Sequence, residues 1–179
     1  LKEIADRHKL ILIEDCAQAW GALYRGKPVS TFGQIGCFSL QDSKQITCGD
    51  GGIAMSSDET FGPLLTKFGD KGTNRYDPKD SGTALGANYR MSELQAAFVA
   101  AQLTRLEDIV TKRSHLGNLL TAELAGIPGI APHLVDPEDR CSYWFYLTRL
   151  VPKDLRCDRA QFTKALAAEG ATFSSGYIA

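Results

Sequence analysis

The sequence predicts an α/β fold, on three observations. Short, largely apolar runs fall at 10–13, 35–40 and 53–55, each closed by polar or glycine-rich residues. Between and after them lie longer stretches with apolar residues three and four apart, opening at Asp58, Ser92 and Asp158. The first run follows directly on a charged stretch, 2–9, that reads as the last turns of a surface helix, and helix followed by buried strand is half of an α/β unit.

Leu10, Ile11, Leu12 and Ile13 form a continuous apolar run, as a parallel strand covered on both faces requires. Glu14 and Asp15 stand at its carboxyl end, where ligands bind in open α/β sheets, although a cap or a loop charge explains a carboxylate there equally well. Over 21–33, glycines and Pro28 punctuate short segments such as Ala22, Leu23 and Tyr24, which predicts hairpin-like connections. Residues 35–40 read as a second buried strand, and Ile53, Ala54 and Met55 as a third. The loop between them holds Lys44 and then Gly49, Gly51 and Gly52, which let the backbone take φ > 0 and approach closely. Asp58 or Ser57 caps a helix to about 67, with Phe61, Leu64, Leu65 and Phe68 as a core stripe.

Residues 69–86 are rich in glycine, aspartate and lysine, contain Pro78 and have no hydrophobic period. They predict a long loop in which Lys71, Arg75 and Lys79 are solvated charges. Ser92 and Gln95 fit a capping box for a helix in which Leu94, Phe98, Ala101, Leu106 and Ile109 keep helical spacing. A further helix over about 108–124 carries Leu116, Leu119, Leu120 and Leu124 and ends at Gly126, with Pro128 beyond. The expected domains are 1–125 and 126–179. In the second, 143–151 is an alternating strand whose Trp144, Phe145 and Tyr146 belong to the core, Asp158 opens a helix carrying Phe162 and Leu166, and 171–173 starts another strand.

Composition narrows the function. With 44% hydrophobic and 23% charged residues among 179, the chain can bury a core and shows no bias towards disorder. A net charge of −1 offers no basic face for nucleic acid and no polybasic segment for anionic lipid, which favours a small-molecule substrate. No apolar run approaches the roughly 20 residues that cross a bilayer, and the opening residues lack signal-peptide form, so the expected location is the cytoplasm. Cys16, Cys37, Cys48, Cys141 and Cys157 form an odd set without a CxxC pair or regular spacing to His8, His115 and His133. That pattern argues for reduced thiols over a disulfide framework or a zinc site, with Cys48 the thiol nearest Lys44 in sequence.

Lysine acquires chemistry when its ammonium is partly desolvated or condensed with a carbonyl compound. Lys44 alone reads as a solvated loop lysine, but it keeps the company of Ser39 at a strand end and of Asp15 and Gln18 at another. A hydroxyl, an amine and an acid gathered at strand ends suit a phosphate, an aldehyde and a ring nitrogen.

These residues, the block Ile13-Glu14-Asp15-Cys16-Ala17-Gln18-Ala19, Phe38-Ser39 with Lys44, Gly49-Asp50-Gly51-Gly52, and Asn88-Tyr89-Arg90-Met91-Ser92-Glu93-Leu94-Gln95, resemble the DegT/StrS family of sugar aminotransferases. The blocks occur in the family's order and at about its spacing over nearly the whole chain. The resemblance implies a three-layer α/β/α large domain with a mostly parallel sheet, of fold type I, and the start of a smaller α+β C-terminal domain. It further implies that the N-terminal part of the large domain and the end of the small one are missing. Its cofactor would be pyridoxal 5'-phosphate, passing through pyridoxamine phosphate.

By the same resemblance, Lys44 condenses with the cofactor aldehyde and shuttles the proton. Asp15 pairs with the pyridinium nitrogen, Ala17 packs on a ring face, Gln18 lies near the ring hydroxyl, and Ser39 binds the phosphate. Asn88 reaches across a homodimer interface to the partner's cofactor phosphate, with Arg90 by the same interface or the substrate entrance. The family's frequent His-Gly before this region is Phe68-Gly69 here. The implied reaction is transamination of a keto-sugar, nucleotide-linked, or of a keto-cyclitol, with glutamate or glutamine as donor. The alternatives are a dehydratase, whose branch replaces the lysine with histidine, and a non-catalytic binding or regulatory protein of the same fold.

Overall fold

In the computed structural model, which describes residues 1–80, 82–171 and 173, the chain divides into two units. The first comprises Leu1–His115 with Val135–Trp144, the second Leu116–Leu134 with Phe145–Ala179.

In the first unit α1 (Lys2–Arg7) is bridged by Lys2 and Asp6 one turn apart, the spacing at which opposite charges on a helix meet. It leads to β1 (Ile13–Asp15). A hairpin of β2 (Leu23–Tyr24) and β3 (Lys27–Pro28) turns through Arg25 and Gly26, both left-handed at φ 48 and 76, the sense of turn that matches strand twist. β4 (Ile35–Ser39) pairs parallel with β1, Asp15 opposite Cys37, and antiparallel with β5 (Gly52–Met55), Ser39 opposite Gly52. The sheet order is therefore β1-β4-β5. The Glu14 carboxylate accepts from the backbone of Ser30, Phe32 and Gly33, so this acid fastens the return to β4.

Three helices follow: α2 (Phe61–Gly69), α3 (Glu93–Leu103) and α4 (Leu106–Leu124). The core gathers Trp20, Leu40, Ile46 and Val99, with Phe38, Ile53, Met91, Leu106 and Ile109 packed around them. In the second unit β6 (Ile130–Ala131) pairs antiparallel with β7 (Arg149–Leu150), and α5 (Arg159–Ala168) begins at the expected Asp158, whose capping box closes with Gln161.

Several expectations give way to tertiary context. The run 10–13 is not covered on both faces: the ladder starts only at Ile13, Leu10, Ile11 and Ile13 are each 58% exposed, and β1 is the edge of the sheet among the described residues. The helix expected from Asp58 begins at Phe61, and the Asp58 carboxylate accepts from the backbone of Thr60 and Phe61 ahead of it. Its stripe is half-buried at Phe61, Leu64 and Leu65 and exposed at Phe68, while the buried residue of the helix is Lys67. Ser92 and Gln95 do form the capping box, but the helix breaks after Leu103, and Val99 enters the core while Leu94 and Phe98 stay exposed. Only Arg149–Leu150 of the strand expected over 143–151 pairs, and the Tyr146 hydroxyl is engaged with Thr121 and the backbone of His133. The strand expected at 171–173 includes Thr172, outside the described residues.

Candidate functional site

The Lys44 turn is held by apolar anchors on both sides. Leu40 and Ile46 are fully buried, and between them the chain has room for one short excursion, so Lys44 sits at a tip whose two bases are fixed in the core. Hydrogen bonds close the loop: Leu40 N donates to Gly51 O at 2.9 Å, Cys48 N to Leu40 O at 3.0 Å and Lys44 N to Gln41 O at 3.1 Å. The exit needs glycine, for Gly49 and Gly51 adopt φ of 89° and 149°. At the other base, Trp20 Nε1 donates to Ser39 O at 2.7 Å and its ring stacks on Phe38 at 4.2 Å.

Asp15 ends β1 and accepts from Ala17 N at 3.0 Å, a local turn that leaves the carboxylate exposed beside exposed Gln18. Asp15 stands opposite Cys37 in a parallel ladder and Ser39 lies two residues further along β4, so strand alternation puts Asp15 and Ser39 on one face. The two loops meet through neighbours of the candidate residues. Gln45 Nε2 donates to Gln18 O at 3.0 Å and to Ser142 Oγ at 3.1 Å, while its buried Oε1 meets no donor among the described residues.

Lys44 itself has no carboxylate within ion-pair distance among the described residues. Its ammonium instead lies 4.1 Å from the centre of the Trp144 indole, whose Nε1 donates to Ser43 O at 2.8 Å. Expected in the core, half-buried Trp144 is thus a site residue. The sequence carries no local signal for it, since 101 positions separate Ser43 from Trp144.

Asn88 lies elsewhere. Its backbone pairs with Asp70 at the carboxyl end of α2, and among the described residues no hydrogen bond joins it to the Lys44 turn. Arg90 and Arg75 both bind the buried Asp70 carboxylate, so Arg75, though exposed, is a paired charge, and Lys67 pairs with Asp80 at 2.6 Å across the same loop. The Arg75 and then the Arg90 hydrogen bonds lower the Asp70 pKa to about 2, and Lys67 chiefly lowers that of Asp80. Because the folded values lie below the unfolded ones, this stabilisation is complete above about pH 4 and is lost as pH falls towards 2. Acid titration followed by limited proteolysis is expected to open 70–90 in that window, and Asp70→Asn is expected to be cleaved there already at pH 7.

The cysteines are free, and burial, with Glu14 and Asp15 nearby, pushes the Cys16 thiol up to about 11, which keeps it unreactive. A separate recess of about 1000 Å³, lined by Met55, Leu65, Phe68, Tyr89, Arg90 and Gln95 among others, does not include Lys44, Asp15 or Ser39. The candidate site is therefore defined by its chemistry and not by concavity.

Pyridoxal phosphate fits this set. An amine with no ion-pair partner among the described residues, an exposed carboxylate at a neighbouring strand end, and a serine on the same face as the acid are groups of the kinds that would answer its aldehyde, ring nitrogen and phosphate.

Known proteins resemble the chain along its full length. The model of the DegT/DnrJ/EryC1/StrS aminotransferase family matches residues 1–179. An L-glutamine:2-deoxy-scyllo-inosose aminotransferase of Streptomyces kanamyceticus is 36% identical over 94% of the chain and 42% of its own length. A dTDP-3-amino-3,4,6-trideoxy-alpha-D-glucose transaminase of Streptomyces venezuelae is 33% identical over 86% and 40%. Among solved structures, an aminotransferase from Psychrobacter cryohalolentis superposes with a TM-score of 0.85 at 26% identity, over 94% of this chain and 48% of that one. The chain thus spans less than half the length of these relatives, and its α/β fold is theirs. It belongs to the DegT/DnrJ/EryC1/StrS aminotransferase family.

Proposed function

We propose that this chain carries the lysine of a pyridoxal-phosphate-dependent aminotransferase that moves an amino group from glutamine or glutamate to a keto-cyclitol or a keto-sugar. The observation that carries the reading is the Lys44 amine, fixed at a tip between two buried residues and free of any carboxylate among the described residues. The named activities of the relatives support both acceptor classes and glutamine as donor.

Pyridoxal phosphate, when bound, supplies an aldehyde for the amine and an electron-withdrawing ring. Lys44 Nζ, once neutral, lifts the proton from the amine-bearing carbon of the donor and later delivers one to the former carbonyl carbon of the acceptor, so one base serves both halves. The Asp15 carboxylate holds a proton on the ring nitrogen. Ser39 donates to the phosphate, Ala17 leaves room against the ring, and Gln18 offers its amide to the ring hydroxyl. Asn88 serves a second copy of the chain. Exposed Tyr89, Leu94 and Phe98 support such a homodimer, because a helix as apolar as α3 calls for cover on more than one side. In this reading 1–125 belong to the cofactor-binding domain and 126–179 to a smaller one, in a cytoplasmic enzyme.

Mixing the full-length protein with pyridoxal phosphate, reducing with borohydride and mapping peptides is expected to find the adduct on Lys44. Absence of the adduct overturns the reading and favours a binding or regulatory protein. Amination of scyllo-inosose and of dTDP-linked keto-sugars by glutamine then separates the acceptor classes.

A further inference from the structure

The 142–144 segment grips the lysine turn at three successive residues. Trp144 Nε1 holds Ser43 O, the Trp144 ring faces Lys44 Nζ, and Ser142 Oγ accepts from Gln45. The grip is itself braced. Arg113 donates to Tyr143 O at 2.9 Å, Ser114 donates to Cys141 O at 2.6 Å, and buried Tyr143 holds a left-handed φ of 41° immediately before the tryptophan. A tyrosine keeps that conformation only where its surroundings over-determine it. The indole is therefore a preorganised face, set one ring-width from the reactive amine.

The present occupant of that face is a cation, and a cation binds it only while charged. A lysine that acts as a base must at some stage be neutral, and the face then loses its partner. A cyclohexane ring whose hydroxyls are all equatorial carries its axial C–H bonds on its two faces, and polarised C–H groups suit the negative face of an indole.

Resting on the reading of Lys44 given above, we infer that Trp144 is the platform on which the ring of a keto-cyclitol acceptor lies, exchanging places with the lysine ammonium. The residue would select for a flat polyol ring by its face, complementing whatever hydrogen bonds read the hydroxyls.

The test is equilibrium binding of scyllo-inosose, by calorimetry, to full-length protein loaded with pyridoxal phosphate and reduced with borohydride, which prevents turnover. Only protein shown by peptide mapping to carry the adduct on Lys44 is titrated. Trp144→Phe keeps an aromatic face without the indole N–H and is expected to bind within about threefold of the parent, whereas Trp144→Leu is expected to bind at least about tenfold more weakly. Unchanged binding by Trp144→Leu overturns the inference. So does an equal loss in Trp144→Phe, which would make the bond to Ser43 the active feature. Failure of the adduct-bearing parent to bind scyllo-inosose also overturns it while leaving the role of Lys44 intact, and absence of the adduct in the parent removes both.

Discussion

Replacing Lys44 by alanine is expected to abolish covalent capture of pyridoxal phosphate and to lower transamination by at least about 10³-fold, with little change in stability. The separation of the two effects follows from the way the turn is built. Its shape is set by Leu40 and Ile46 in the core and by backbone bonds among Leu40, Cys48 and Gly51, none of which uses the lysine side chain. What the folded chain loses is one cation–π contact, about 0.5–1 kcal/mol at a partly exposed site. For a chain of this length that amounts to about 2–4 °C in Tm at most. Turnover at the parent rate in Lys44→Ala, or a collapse of the melting transition, would contradict the assignment.

Leu40→Ala should behave in the opposite way. Leu40 is fully buried among Trp20, Ile46 and Val99, and truncating such a leucine costs about 2–5 kcal/mol, which is a large share of the roughly 5–15 kcal/mol that holds a domain together. Chemical denaturation is expected to move to a markedly lower midpoint. Leu40 O also accepts from Thr47 Oγ1 and Cys48 N, so a shift of this residue displaces the base of the lysine turn. Adduct formation at Lys44 should therefore become slower even in the fraction that remains folded. A midpoint within experimental error of the parent would show that the core can close over the gap.

Sequence made the local features legible. The capping box at Ser92 needs only a side chain and a partner three residues on, and it formed as expected, while Asp158 opened the helix expected of it and added a box with Gln161. Of the glycines after Lys44, Gly49 and Gly51 adopt the positive φ that the sequence announced, whereas Gly52 opens β5. Family resemblance added roles that no spacing could have supplied, namely those of Asp15, Ser39 and Asn88. What stayed hidden depends on distant chain. Whether Leu94 or Val99 turns inward is decided by what packs on α3, and an apolar residue carries no label for that. The grouping of Asp70 with Arg75, read as loop charge, and with Arg90, placed by the interface or substrate entrance, stayed hidden because opposite charges 5 and 20 positions apart give no periodic signal. Trp144 was obscured for a different reason. Flanked by Tyr143, Phe145 and Tyr146, it reads as one more core aromatic until the fold brings it over the lysine.

The outer side of β1 carries a liability of its own. Among the described residues no strand pairs with that side, next to exposed Leu10, Ile11 and Ile13, and an unpaired strand edge is a template for strand addition from another molecule. Whatever polypeptide lies along it in the working assembly therefore acts as a guard against self-polymerisation as well as a scaffold.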